Sequence, residues 1–287
     1  MLSASVSRSL RVAAVTGFAA CLAAGCASSQ HAGAAAKAAQ PASVSSPHQA
    51  ILLAATQARL ATSFSADFTM SVGGTAGMTA SGTMSAQTRP TLLVEANLPT
   101  VSADGQSVPG GISEIITANA LYMKMSELSK VYGKAWLELP FSELKGISSL
   151  SLGQLSEQMQ SDSPLQQTQM LAGATNVRTV GSTTIDGSAV TEYSGTYPLA
   201  AGIAQLPASS RAAVQQELTK AGMTSASFEI WLDDQHQVRK LVITEHGTTE
   251  SVVLSELVTS INQPVSVQVP PASQVATMPA SALGSGQ

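Results

Sequence analysis

Cys21 and Cys26 are the only thiols in the sequence, and a thiol is the side chain best suited to form a covalent bond under mild conditions. Their setting separates them. Arg8 and Arg11 give the N-terminus positive charge, residues 12–22 form an apolar run too short to span a bilayer, and Ala24-Gly25 supplies the small residues at which a signal peptidase cuts. Cleavage after Gly25 would remove Cys21 and leave Cys26 as the first residue of an exported chain. No second thiol would remain for a disulfide, a metal or an enzyme nucleophile.

Other chemistry-bearing residues are sparse. His31 falls in a small-residue segment, His48 at the start of an expected helix, His236 in a turn and His246 at the end of a strand. None joins a cluster with metal-ligand spacing, so no metal and no cofactor is expected. Asp233-Asp234 is explained by a hairpin turn, where aspartate bonds its own backbone. No Gly-x-Ser-x-Gly stands in a strand-to-helix turn, and no glycine-rich segment is followed by Lys-Ser or Lys-Thr. An enzyme is therefore not expected. Acidic residues outnumber basic ones by 18 to 14, and removal of Arg8 and Arg11 with the signal sharpens the imbalance, which argues against nucleic-acid binding.

Residues 22–26, Leu-Ala-Ala-Gly-Cys, resemble the lipobox of bacterial lipoproteins, with Ala23 where leucine is commonest. The resemblance implies diacylglyceryl transfer to the Cys26 thiol, cleavage before it, and often a further acyl chain on the new amine. The expected location is the extracytoplasmic face of the cell membrane, held by lipid. Two or three acyl chains anchor a protein stably where one does not.

The elements that follow must be placed by pattern. Residues 27–46 are rich in Ala, Ser and Gln without apolar periodicity, as in a flexible tether. Ser46-Pro47 has the form of an N-cap and first helical residue, and predicts a helix to about Ala61 with Ile51, Leu52, Ala55 and Leu60 on its apolar side. Strict alternation then begins: Phe64, Ala66, Phe68, Met70 and Val72, and after a turn Met78, Ala80, Gly82, Met84 and Ala86, with polar residues between them. Such alternation predicts antiparallel strands with one dry face. Residues 92–98 continue it, and residues 115–125 and 135–139 each predict one strand. Residues 141–173, with leucines and methionines at mixed three- and four-residue spacings, predict two or three short helices. Strands at 177–184, 189–197, 225–232, 238–246 and 250–261 follow, with a helical insert over 199–220 that ends at Gly222. The expected organisation is a signal (1–25), a lipidated tether (26–46), one domain (47–272) and a disordered tail (273–287). Its class is α+β: a curled antiparallel sheet of about ten or eleven strands, covered on its concave face by short helices.

Four segments carry a family resemblance: Tyr122-Met123-Lys124 with Gly133-Lys134-Ala135-Trp136-Leu137; Thr184-Ile185-Asp186-Gly187 through Thr191-Glu192-Tyr193-Ser194-Gly195-Thr196; Phe228-Glu229-Ile230-Trp231-Leu232-Asp233 with Val238-Arg239-Lys240-Leu241; and Asn262-Gln263-Pro264-Val265 through Pro270-Pro271-Ala272. In order and spacing, over about residues 48–272, they resemble the LppX/LprAFG lipoproteins of actinobacteria, a LolA-like family. The resemblance implies an unclosed β-barrel wrapped round helices with an apolar cavity between, and no catalytic residue.

The dry face offers a ligand-pocket reading. Phe68, Met70, Met78, Met84, Leu121, Met123, Met125, Phe228 and Ile230 fall on strands, and Leu155, Met159 and Met170 on the covering helices. Methionine adapts to varied apolar surfaces, and the small residues Ala66, Ala80, Gly82 and Ala86 among them could leave room for acyl chains. On the residues alone ordinary core packing explains them better, and the family resemblance tips the reading toward a cavity. Trp136 and Trp231 have the opposite parity and are expected on the outer face. Two functions stay open: a monomeric carrier or binder of a lipid or glycolipid of the envelope, and a non-enzymatic sensor or partner-binding lipoprotein.

Overall fold

The computed structural model describes residues 46–73, 77–142, 163–206, 208–220, 222–248 and 250–277. Cys26, the signal and tether residues 27–45 lie outside the described residues, and so do Leu155 and Met159.

The chain opens with helix α1 (Pro47–Leu60). Ser46 caps it, its hydroxyl accepting from the Gln49 amide at 3.2 Å, and Pro47 stands where a missing N–H costs nothing. The buried side agrees with the expected one at Ile51 and Ala55 and departs from it at the leucines. Ala50, Ile51, Ala54, Ala55 and Ala58 face inward, while Leu52 and Leu60 are exposed. The alanines permit close packing, and α1 packs against helix α3 (Pro164–Met170).

A first meander follows: β1 (Ser63–Gly73), β2 (Met78–Gln87), β3 (Leu93–Ala103), the short β4 (Gln106–Ser107), β5 (Ile112–Thr117), β6 (Ala120–Met125), helix α2 (Ser126–Tyr132) and β7 (Trp136–Pro140). The single strand expected over 115–125 is two. Thr117 breaks it: its hydroxyl accepts from the amides of Asn119 and Ala120 and closes a hairpin turn. Helix α2, which the alternation did not announce, ends at Gly133, whose φ of 67° suits the left-handed cap. After α3 and a 3₁₀ turn (Leu171–Gly173) comes a second meander: β8 (Thr175–Ile185), β9 (Ser188–Pro198), helices α4 (Leu199–Ile203) and α5 (Ala208–Lys220), β10 (Met223–Leu232), β11 (Val238–Gly247) and β12 (Ser251–Ile261).

β1 and β12 pair antiparallel and weld the two meanders into one sheet of 13 strands. The sheet does not close: β13 and β8 stand at its two ends. β13 (Val275–Thr277) corrects the expected tail, since it pairs parallel with β7. Lys134 Nζ donates to the Ser273 carbonyl at 2.8 Å and helps seat it. The class is the expected α+β, a large unclosed sheet with a few helices, and α1 reaches from α3 across to β8. One apolar cluster lies between the helices and one face of the sheet, drawing on α1, α3, α4 and strands of both meanders.

Candidate functional site

Strand registers define the inner face row by row. One row runs Ala66–Met84–Ala96–Glu114–Met123–Leu137 across six strands. Beside it run Phe64–Ala86–Val94–Ile116–Leu121–Leu139 on one flank and Leu98–Ile112–Met125 on the other. Through β1 and β12 the face continues into the second meander as Gly82–Phe68–Glu256–Leu241–Ile230 and Ala80–Met70–Leu254–Ile243–Phe228. The expected pocket residues Phe68, Met70, Met84, Leu121, Met123, Met125, Phe228 and Ile230 thus share one continuous face. Met170 joins them from α3. Met78 is buried at the far end of β2, opposite Val72 and Ala103, apart from the main cluster.

The small residues play a different part from the one expected. Ala66, Ala80 and Ala86 are buried in the main cluster. Gly82 is small because the backbone of β3 bulges into its place: a Cβ there would stand 2.0 Å from the Asn97 carbonyl oxygen. Gly202 of α4 is held likewise by the Tyr197 ring, at 2.8 Å from a Cβ, with the Met170 methyl at 3.2 Å.

Polar groups on this face are few and buried. Glu114 is 6% exposed, and no hydrogen bond reaches its carboxyl among the described residues; burial pushes that carboxyl up to about 8. It is the residue that sequence reasoning missed, although the signal was present: it has the same parity as Ile112 and Ile116 on β5. Glu256 is fully buried in the row between Phe68 and Leu241. Helix α3 turns Gln166, Gln167 and Thr168 inward along with Leu165 and Met170; the Thr168 hydroxyl is spent on the Pro164 carbonyl at 2.7 Å. The Tyr197 hydroxyl is buried without a hydrogen-bond partner among the described residues, and burial, with Glu245 on the same row, raises its pKa.

The outer face is polar. Trp136 and Trp231 lie on it as expected, each beside a lysine: Lys124 Nζ is 5.9 Å from the Trp136 ring and Lys240 Nζ 4.5 Å from the Trp231 ring. Two half-open clefts indent it. One, of about 340 Å³, runs along β8–β11 past Arg178, Ser194, Ser227 and Glu229. The other, of about 310 Å³, lies beside Trp136, Glu95, Asn97 and Ser113; Glu114, whose side chain points to the inner face, borders it from β5. Among the described residues no group of three or more His, Cys, Asp or Glu could hold a metal ion, and no helix is long and apolar enough to cross a membrane.

No family model matches the chain. It is similar to a Streptomyces coelicolor protein that bears the name putative lipoprotein, with 26% identity over 140 residues, 48% of this chain and 40% of that protein. The chain spans about two fifths of the length of the curated relatives it matches. Among solved structures it is similar to the lipoprotein LppX of Mycobacterium tuberculosis, at 17% identity and a TM-score of 0.43 over 77% of this chain and 98% of that one. It is likewise similar to LprF of Mycobacterium bovis, at 13% identity and a TM-score of 0.48 over 78% and 96%.

Proposed function

We propose that the chain is a lipid-anchored protein of the extracytoplasmic membrane face, of the LppX/LprAFG kind, that binds the acyl chains of an envelope lipid or glycolipid between the inner face of its sheet and its helices. The observation that carries the reading is the inner face itself. It sets Phe68, Met70, Met84, Met123, Met125, Phe228 and Ile230 side by side under short helices, on a sheet that stays open at both ends. Methionines can re-pack around a guest chain at little cost. Each methylene taken from water contributes about 0.8 kcal/mol, so chain burial alone supplies ample affinity.

Cys26 supplies the anchor in this reading, and the name of the Streptomyces coelicolor relative supports it. Protein purified from its own membrane, extracted and examined by mass spectrometry, is expected to yield a bound lipid in stoichiometric amount. Cys26→Ser is expected to move the protein from the membrane fraction to the soluble one. A protein that is free of lipid and takes up no labelled fatty acid or glycerolipid would sink the reading.

A further inference from the structure

Resting on the lipid-binding reading above, we propose that Glu114 is the polar contact of the inner face and that its partner is the carbonyl of an acyl ester. The geometry is unusual for a carboxyl. Glu114 stands in the middle of a six-strand row, flanked by Ala96 and Met123 across the ladders and by Ile112 and Ile116 along its own strand. It is 6% exposed, and no hydrogen bond or ion pair reaches it among the described residues. A carboxyl desolvated among apolar side chains costs stability, and its persistence calls for an explanation outside the folded chain's own contacts.

The chemistry of the residue restricts the guest. A carboxyl in this apolar setting keeps its proton at neutral pH, since burial holds it near 8. It therefore offers one O–H donor and one carbonyl acceptor. A phosphate or free carboxylate would bring a buried charge with no cation in the row to meet it. A plain hydrocarbon would leave the donor unmet, and an ether oxygen is a weak acceptor. An ester carbonyl accepts the hydrogen bond, carries no charge, and sits where acyl chains begin. Met84, Met123 and Leu137 on the same row then lie along the first part of those chains.

The test compares two lipids with matched chains on the full-length protein: dioleoylglycerol, with ester carbonyls, and its dioleyl ether analogue, without them. Each displaces a bound fluorescent diacylglycerol. Wild type is expected to prefer the ester by about tenfold, the worth of one buried hydrogen bond against an unmet donor. Glu114→Gln, whose amide still donates, keeps the preference. Glu114→Leu loses it while its affinity for the ether stays within about twofold of wild type. Should the leucine variant misfold, Glu114→Met matches the neighbouring side chains and serves the same comparison. Equal affinity of wild type for the two lipids, or an ester preference that survives Glu114→Leu, overturns the assignment and leaves lipid binding standing. Failure of the fluorescent probe and both lipids to bind at all brings down the lipid-binding reading and this assignment with it.

Discussion

A carboxyl that keeps its proton in the folded state makes stability depend on pH, and Glu114 sets the sign. Unfolded, it titrates at its ordinary value of 4.5; folded, near 8. Between those values the unfolded chain has released the proton that the folded chain retains, so rising pH favours unfolding by about 1.4 kcal/mol per unit. The contribution is whole below about pH 4.5 and lost above about pH 8. In urea denaturation across that range, the midpoint of Glu114→Gln is expected to gain on wild type as pH rises, with the gap closing toward the acid end. A gap that stays constant would show that the carboxyl is not held protonated. Tyr197 makes a second prediction at this scale. Its hydroxyl is buried without a bonding partner among the described residues, while its ring packs 6.3 Å from that of Phe228. Removing only the oxygen, in Tyr197→Phe, is expected to leave stability unchanged or raise it by up to about 1 kcal/mol. A loss larger than that would mean that a group outside the described residues holds the hydroxyl.

At the scale of elements, the glycines and turns decide what alternation alone leaves open. Gly82→Ala drives a Cβ into the backbone of β3, which cannot swing aside as a side chain would. The expected cost is about 3 kcal/mol or more, read as a lowered urea midpoint, whereas Ala80→Gly two residues away is expected to cost about 1 kcal/mol. The period-2 pattern made most long strands legible, from Phe64-Ala66-Phe68-Met70 through the late hairpin at Asp233. There the Asp233 carboxylate accepts from the amides of Gln235 and Gln237, as the turn chemistry implied. The same pattern misled where a side chain interrupts it without changing polarity. Thr117 fits a strand by composition, yet its hydroxyl folds the chain back on itself. On α1, leucine was weighted above alanine, and the close contact with α3 reversed the order: alanines bury, Leu52 and Leu60 face water. Glu114 was passed over because acids are expected to face outward. Its place between Ile112 and Ile116 follows from parity, but what surrounds a position comes only from strands distant in sequence.

For the whole molecule, the open sheet leaves two edges to protect, and β13 covers one of them. It was hidden in sequence because Val275-Ala276-Thr277 is too short to show alternation and earns its structure from β7 alone. A chain ending at Pro271 would bare the far edge of β7 and lose the Lys134 contact to Ser273. Exposed strand edges recruit other strands, so this truncation is expected to self-associate, visible as early-eluting species in size-exclusion chromatography under conditions where the intact chain gives one peak. At the centre of the sheet, β1 and β12 meet across nearly the whole domain, and the Thr62 amide donates to the Asn262 side chain over a separation of 200 residues. Pairing at such distance is entropically slow to initiate. A ribosome delivers β12 long after β1, so β1 must wait with one edge bare while the strands between them are made. Each meander can form its own hairpins early, but the seam between them can be sewn only once β12 has been made.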